Sequence, residues 1–342
     1  MCYVCGFHVV LSLNPFRDGI DYLTALTYNE SVFDHPVIFA MKPFCFFVVS
    51  LFTFSGLFAD DSIRVLSINV RCSTANDGEN NWSNRKDFMT DLIVAGNYDF
   101  IGTQETIMHR NPELNQVTYI ASKLPDHGSL GRSRERNPEV GEAMMIYYKK
   151  NRWKIDETDQ ATFWLSDTPD IAGSKTDPKA GCPRTVTVAL FHELKDEKPT
   201  GRKIYFYNTH YDHMSEEARQ RGAKLLMEWI AERKNKDVPV IVTGDLNCGE
   251  QSPAIRFMQG ESMKLDDKEW TASYKLVDTF RVVNPDATEV GTFNGFRAPG
   301  GGKIDYVFVS PGLKTISAEI IRTQREGRYP TDHFPINAVI AW

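Results

Sequence analysis

The chain has 342 residues, with 39 Lys and Arg against 45 Asp and Glu, a formal net charge of −6, and 42% hydrophobic residues. That balance fits a globular chain with a sizeable core and argues against a disordered one. It supplies no broad electrostatic pull on a polyanion, although a local basic patch stays compatible with it.

Met41-Lys42-Pro43 opens an uncharged, phenylalanine-rich stretch from Phe44 to Phe58, followed by Ala59 and Asp60-Asp61. One positive charge, an apolar run and a small residue at its end read as a secretory signal over 41–59. The run is shorter than the roughly 20 apolar residues a membrane span needs. A buried N-terminal strand or helix, or a membrane anchor, are the alternatives. Residues 1–40 show no charge pattern, repeat or period and read as a gene-model extension, with a genuine extra segment as the alternative. The expected organisation is therefore 1–40 extension, 41–59 signal and 60–342 one folded domain, in a secreted or periplasmic protein. Cys72, Cys182 and Cys248 lie beyond the signal. Three cysteines hold at most one internal bridge, so the core must carry stability. Asn81-Trp82-Ser83 is a glycosylation sequon, relevant only in a eukaryotic secretory pathway.

In chain order, Ile63 to Val70 reads as a strand with Asn69 near its end. Arg85 to Ala95 reads as a helix, with Phe88, Leu92 and Ile93 spaced for one face. Tyr98 to Gly102 is a short strand feeding Gln104-Glu105. Ala143 to Tyr148, Arg184 to Leu194 and Ile204 to Asn208 follow as strands, the last leading to His210. Ser215 starts a helix with Glu216 and Glu217 in its first turn and Ala223, Leu226 and Ile230 as its apolar stripe. Val238 to Val242, Ile304 to Val309 and Ala338 to Ala341 are further strands. Strands and helices in this order predict an α/β domain with mixed sheets.

The polar residues cluster at strand ends, where open α/β sheets gather their ligand sites. Val240-Ile241-Val242-Thr243-Gly244-Asp245-Leu246-Asn247 delivers a carboxylate and an amide two residues apart, on one side of an extended backbone. Its companions are Gln104-Glu105, Asn208-Thr209-His210, Lys303-Ile304-Asp305-Tyr306 and Thr331-Asp332-His333-Phe334-Pro335. Taken singly, Glu105 reads as a solvated strand end, His210 as a core histidine and Asp332-His333 as a cap or turn. Five segments repeating the pattern make those readings poor jointly. Hard oxygen donors and imidazoles without paired thiolates suit Mg²⁺ or Mn²⁺ better than structural zinc.

On these stretches the chain resembles the endonuclease/exonuclease/phosphatase superfamily of metal-dependent phosphoesterases, from Ile63-Arg64-Val65-Leu66-Ser67-Ile68-Asn69 to Thr331-Asp332-His333-Phe334-Pro335. The resemblance implies a four-layer α/β sandwich of two mixed β-sheets flanked by helices. It also implies roles. Glu105 is the principal metal ligand, supported by Asn69, with Asp332 near the metal. Asp245 orients or deprotonates the attacking water, and Asn247 holds the nucleophile or phosphate. His210 and His333 stabilise phosphoryl charge, paired with Glu142 and Asp305 respectively. Arg184, in Cys182-Pro183-Arg184, lies near the substrate.

Phe163-Trp164-Leu165-Ser166-Asp167-Thr168-Pro169, Gly131-Arg132 before Gly141-Glu142, and Thr292-Phe293-Asn294-Gly295-Phe296 are similar to a narrower secreted branch. Thr331 stands where that pattern more often has serine, and a hydroxyl is kept. Phe296, in its glycine-rich loop, is a candidate to stack on substrate or to pack. Trp164 reads as core packing. The implied activity is hydrolysis of a phosphorylated substrate by a monomer with no obligate protein partner. A nuclease using Arg132, Arg134 and Arg136 on a phosphate backbone is one alternative. A sphingomyelinase-like lipid phosphodiesterase and a non-catalytic binding module are the others.

Overall fold

The computed structural model describes residues 9–12, 24–27, 61–297 and 300–342. The chain divides into two units, Met1–Gly56 and Leu57–Trp342. In the first, β1 (Val9–Ser12) pairs antiparallel with β2 (Thr24–Thr27). The expected signal, 41–59, lies outside the described residues.

The second unit runs β3 (Ile63–Asn69), α1 (Trp82–Gly96), β4 (Phe100–Met108), α2 (Gln116–Lys123), β5 (His127–Leu130), β6 (Gly141–Lys149), β7 (Trp153–Trp164) and β8 (Thr185–Lys195). It continues with β9 (Lys198–His210), α3 (Glu216–Glu232), β10 (Val240–Asp245), α4 (Pro253–Met258), β11 (Ser262–Leu265) and β12 (Lys268–Thr271). The last elements are β13 (Val277–Asp278), α5 (Thr279–Val283), β14 (Asp305–Val309), β15 (Lys314–Ile320) and β16 (Ile336–Ala341).

Two six-stranded sheets result, ordered β15-β16-β3-β4-β6-β5 and β13-β14-β10-β9-β8-β7, with β11 and β12 as a separate hairpin. Each large sheet is mixed. Its one parallel pair is β3 with β4 in the first and β9 with β10 in the second.

Strand alternation builds the layers. In β3, Ile63 and Val65 join Phe100, Phe191, Phe206, Ile241 and Val307 in the core between the sheets. Leu66 and Ile68 face the other way, onto Trp82, Met89 and Ile93 of α1 and Ile120 of α2. On the far side, Val240 and Val242 pack against Leu226 and Ile230 of α3 and Ile255 of α4. Strands buried on both faces explain why these segments read as continuous apolar runs. The expected two mixed sheets with flanking helices are present.

Details differ from the sequence reading. The buried face of α1 is Trp82, Arg85, Met89 and Ile93, and Phe88 and Leu92 are only half-buried. A charged residue hides in that face because each of its three side-chain nitrogens donates to a backbone carbonyl. The Arg85 guanidinium donates to the carbonyls of Val70 at 2.7 Å, Arg71 at 2.7 Å and Asn80 at 3.0 Å. It thereby ties the end of β3 to α1. The strand expected at Tyr98–Gly102 extends to Met108, so Glu105 lies inside β4 rather than beyond it. The α3 cap is as expected: Ser215 Oγ accepts from the Ala218 amide at 3.1 Å. Trp164 is 2% exposed and packs. Cys72, Cys182 and Cys248 are free thiols.

Nearer the carboxyl ends of the parallel strands, the space between the sheets turns polar. Asn208 Nδ2 donates to the carbonyls of Thr103 at 2.8 Å and Met145 at 2.9 Å. Its Oδ1 accepts from Gln104 Nε2 at 2.8 Å and Thr243 Oγ1 at 3.0 Å. One amide of the second sheet thus satisfies three groups of the first. Gly102 makes room for it, since a Cβ there would meet Thr243 Oγ1 at 2.0 Å and Asn208 Oδ1 at 2.7 Å. Gly102→Ala is therefore expected to cost about 2–3 kcal/mol by overpacking, read as a lower urea midpoint at unchanged slope. An unchanged midpoint would contradict the close approach.

Candidate active site

The carboxyl ends of the two parallel pairs meet at one end of the sandwich. Asp245, the last residue of β10, sits in register with His210 of β9 on one side and Asp305 of β14 on the other. Inward-facing positions of β3 end on Asn69. Adjacent strand residues point to opposite faces, so Gln104 and Glu105 cannot both face inward in a regular strand. A register shift between Thr103 and Thr106, with Glu105 at φ +57°, resolves this. The bulge turns the Glu105 carboxylate into the site.

Asn69 joins the two sheets there. Its Nδ2 donates to Glu105 Oε1 and to Asp245 Oδ2, both at 3.0 Å. Its Oδ1 accepts from the Arg71 amide at 2.9 Å. The second Glu105 oxygen accepts from the Cys72 amide at 3.1 Å. Burial and Glu142 oppose ionisation of Glu105, but His210, the Asn69 hydrogen bond and His333 outweigh them and hold its pKa below the usual value. Arg71 Nη1 lies 3.9 Å from Glu105, and Arg71 Nε 3.6 Å from Asp332. Burial first, then the neighbouring Glu105, pushes Asp332 up to about 6.

The two histidines differ. His333 Nδ1 is 2.9 Å from Asp305 Oδ2. Burial works against its charge, but Asp305 and Asp245 prevail and its pKa stands well above the ordinary value. It is an imidazolium at neutral pH. His210 was expected to be held charged by Glu142. Instead its pKa falls to about 3, through burial first and then the nearby Arg184. Glu142 Oε1 is 3.5 Å from His210 Nδ1 but only 2.6 Å from Arg134 Nη1, so its hydrogen bond goes to arginine. Asn247, held at φ +48°, has its Nδ2 2.9 Å from His210 Nε2 and donates to the Tyr211 carbonyl at 3.0 Å. Nε2 accepting from Asn247 leaves the proton on Nδ1, facing Glu142.

These groups line one cavity of about 640 Å³, together with Arg71, Arg134, Arg184, Phe293 and Gly300–Gly302. Of the residues expected in the site, Glu105, Glu142, Arg184, His210, Asp245, Asn247, Asp332 and His333 line it directly. Asn69 and Asp305 stand behind them as hydrogen-bond partners. Phe296 does not line the cavity. The Asn294 side chain accepts from the Phe296 amide at 2.8 Å, and Gly295 and Phe296 take φ +55° and +59°. That turn carries the Phe296 ring to Arg85, 5.7 Å away. The cavity aromatic is Phe293, 48% exposed, edge-on to His333 at 5.2 Å between ring centres.

Arg71 escaped notice as a site residue because it follows the strand in a left-handed conformation, φ +54°. Thr292, read only as part of the loop stretch Thr292 to Phe296, has a positioning role: its Oγ1 accepts from the Ile304 and Asp305 amides at 3.0 and 3.2 Å and so fixes the start of β14. Its spacing from Asp305 carries no sequence signal.

The donor set fits a hard divalent cation. Glu105 is ionised, the buried Asp332 carboxyl beside it resists a second negative charge, and oxygen donors dominate. Asn69 offers its NH₂, not its oxygen, to the carboxylates, so it serves as the group that holds Glu105. The ligand atoms of Asp245, Asp305 and His333 also lie within 4.8 Å of one another. The bond between His333 and Asp305 accounts for that grouping.

A two-sheet sandwich with carboxylates, amides and imidazoles converging at its strand ends makes a site suited to a phosphoester and a divalent cation. The chain belongs to the Endonuclease/Exonuclease/phosphatase family, whose family model matches residues 66–333. Members of that family hydrolyse phosphoesters and are in general dependent on a divalent metal.

Among solved structures, the chain is similar to an endonuclease/exonuclease/phosphatase from Bacteroides vulgatus, at 29% identity over 82% of this chain and 98% of that one, TM-score 0.69. It is similar to the mannosyl-6-phosphatase of Bacteroides thetaiotaomicron, at 28% identity over 82% of this chain and 100% of that one, TM-score 0.66. The human Nocturnin catalytic domain, at 16% identity over 82% of this chain and 94% of that one with TM-score 0.62, shares the fold. An uncharacterized protein of Acanthamoeba polyphaga mimivirus is 27% identical over 171 residues, which is 50% of this chain and 60% of the viral protein.

Two outcomes test the metal reading. Glu105→Gln is expected to weaken Mg²⁺ binding in calorimetry by about 10-fold or more with the fold intact. Unchanged affinity would count against Glu105 as a ligand. Because the Asp332 carboxyl titrates at about 6, protons compete with the cation below that pH. Affinity should rise about tenfold between about pH 5 and 7 in the wild type, and Asp332→Asn should flatten that rise.

Proposed function

We propose that the protein is a secreted, Mg²⁺- or Mn²⁺-dependent phosphoester hydrolase, and that its substrate is a phosphomonoester on a small polar molecule such as a sugar. The observation that carries the reading is the convergence of Glu105, Asp245, Asn247, His210 and His333 on one cavity.

A bound divalent ion supplies charge neutralisation at the phosphate and a lowered pKa for water. The chain supplies the rest. His333, a preorganised imidazolium, donates to a phosphoryl oxygen as negative charge develops there. His210 is neutral, with Nε2 taken by Asn247; its Nδ1–H, without a hydrogen-bond partner among the described residues, is the donor it can offer a phosphoryl oxygen. Asp245 is held by Asn69 at Oδ2 and by the Asn247 amide at Oδ1, 3.0 Å each. Its carboxylate, fixed at the cavity wall, orients the attacking water and takes its proton. Phosphoryl transfer asks a protein mainly for this positioning and charge stabilisation.

Similarity along the full length of a mannosyl-6-phosphatase supports a monoester on a sugar. The arginines once read as a nucleic-acid track are dispersed. Arg132 stacks on Trp164 at 4.9 Å, Arg134 binds Glu142, and Arg136 is exposed. Export rests on the Met41–Ala59 segment.

The reading predicts turnover of a sugar phosphate with Mg²⁺, abolished by chelation and exceeding turnover of DNA, RNA or sphingomyelin. His333→Ala and His210→Ala should each lose about 100- to 1000-fold in kcat with folding retained. A folded His210→Ala variant at full kcat would reduce His210 to a packing residue. Chelator-resistant turnover would remove the metal from the account.

A further inference from the structure

The cavity has two electrostatic sides. One is acidic, with Glu105 and Asp332. The other holds Arg134 and Arg184, which share the Glu142 carboxylate at 2.6 and 3.6 Å from the same oxygen, Oε1. Glu135 lies 3.7 Å from Arg134 Nε and Asp212 3.9 Å from Arg184 Nε, so what the pair offers a ligand is unfilled N–H donors, not surplus charge. Both are largely buried, with side chains 14% and 7% exposed. Arg184 Nε and Nη1 and Arg134 Nε are buried without a hydrogen-bond acceptor among the described residues. Buried guanidinium N–H groups with no acceptor at hydrogen-bond distance are costly unless a ligand completes them.

Arg134 is also placed by design of the backbone, not by chance of a loose loop. Its amide donates to the Glu142 carbonyl at 2.8 Å, and its carbonyl accepts from the Trp164 indole at 2.7 Å. Its neighbour Ser133 bridges to Ala143 of β6 and donates to the Val140 carbonyl at 2.7 Å. Three anchors thus fix a segment outside the two sheets so that one guanidinium faces the cavity.

We propose that Arg134, acting with Arg184, binds the second negative charge of a phosphomonoester and makes the enzyme select monoesters over diesters. A monoester carries about −1.5 to −2 at neutral pH, and the extra charge sits on a non-bridging oxygen that a diester has esterified. Guanidinium forks match such oxygens and form the stronger class of hydrogen bond. Glu142 then has a second duty: it holds both forks side by side when the site is empty of anion. The inference rests on the hydrolase reading above and adds the charge state of the substrate to it.

The test compares kcat/KM for 4-nitrophenyl phosphate and bis(4-nitrophenyl) phosphate with Mg²⁺ in the wild type, Arg134→Gln and Arg134→Lys. Calorimetric binding of inorganic phosphate to each accompanies it. The wild type should prefer the monoester. Arg134→Gln should lower the monoester value about 10- to 100-fold and the diester value less than about threefold. Phosphate affinity should fall by a similar factor to the monoester value, and Arg134→Lys should recover part of both. An equal loss on both esters would make Arg134 a merely structural residue and overturn the proposal while leaving the hydrolase reading intact. Unchanged phosphate affinity in Arg134→Gln would overturn it independently of turnover. A wild type that hydrolyses neither ester would fail the hydrolase reading itself. Should Arg134→Gln not fold, Arg134→Lys alone decides: it keeps the charge but not the fork, so the monoester-to-diester ratio must still drop.

Discussion

Within the site, one buried amide binds an acid from each sheet. Asn69 Nδ2 lies 3.0 Å from a carboxylate of its own sheet, Glu105, and 3.0 Å from one of the facing sheet, Asp245. Two buried carboxylates at this separation repel each other in a low dielectric. A neutral group with two N–H donors can bind both at once, which neither a hydroxyl nor a carboxylate can do in its place. Thr331 Oγ1 holds the Asn69 carbonyl at 2.7 Å, so the segment carrying Asp332 and His333 is fastened to the same residue. The joint thus fixes Glu105, Asp245 and the Asp332–His333 segment relative to one another.

The rest of the sandwich makes the joint possible by grading the polarity of its interior. Along the inward face of β3 the residues run Ile63, Val65, Ser67, Asn69; along β10 they run Ile241, Thr243, Asp245; along β9 they run Ile204, Phe206, Asn208, His210. The apolar half supplies the burial that drives sheet association. The polar half would cost stability if its groups were unpaired, and Asn208, Gln104 and Thr243 satisfy one another across the gap. Rigid strands therefore deliver functional side chains in fixed positions. The strain needed to aim Glu105 and Asn247 is confined to two left-handed residues next to them or at them.

Much of this was legible in the chain. The apolar strand runs, the strand-end places of Asn69 and Asp245 and the Ser215 cap follow from local pattern, and the structure repeats them. The expected extended alternation from Asp245 to Asn247 is not kept: β10 ends at Asp245 and Asn247 turns left-handed at φ +48°. Other features were not legible because they depend on partners distant in sequence. The Glu105 bulge arises from the β4–β6 register, and adjacent Gln104 and Glu105 give no hint of which faces inward. Arg85 marks only the start of the expected helix, and its burial depends on the carbonyls of Val70, Arg71 and Asn80. The low pKa of His210 comes from burial first and then from Arg184 and Arg134, which lie 26 and 76 residues away along the chain. Phe293 and Phe296 sit in one loop with the same composition, and only the turn at Asn294 decides which ring meets the cavity.

The site is thus a divided electrostatic field, with a carboxylate side suited to a cation and a guanidinium side suited to an anion, and Asn69 fixing the distance between its acids. The most direct measurement is kcat for a phosphomonoester with Mg²⁺ in Asn69→Ala, alongside its thermal unfolding curve. If the amide joint organises the site, the folded variant loses about 100-fold or more in kcat. A folded Asn69→Ala with wild-type kcat would contradict the account.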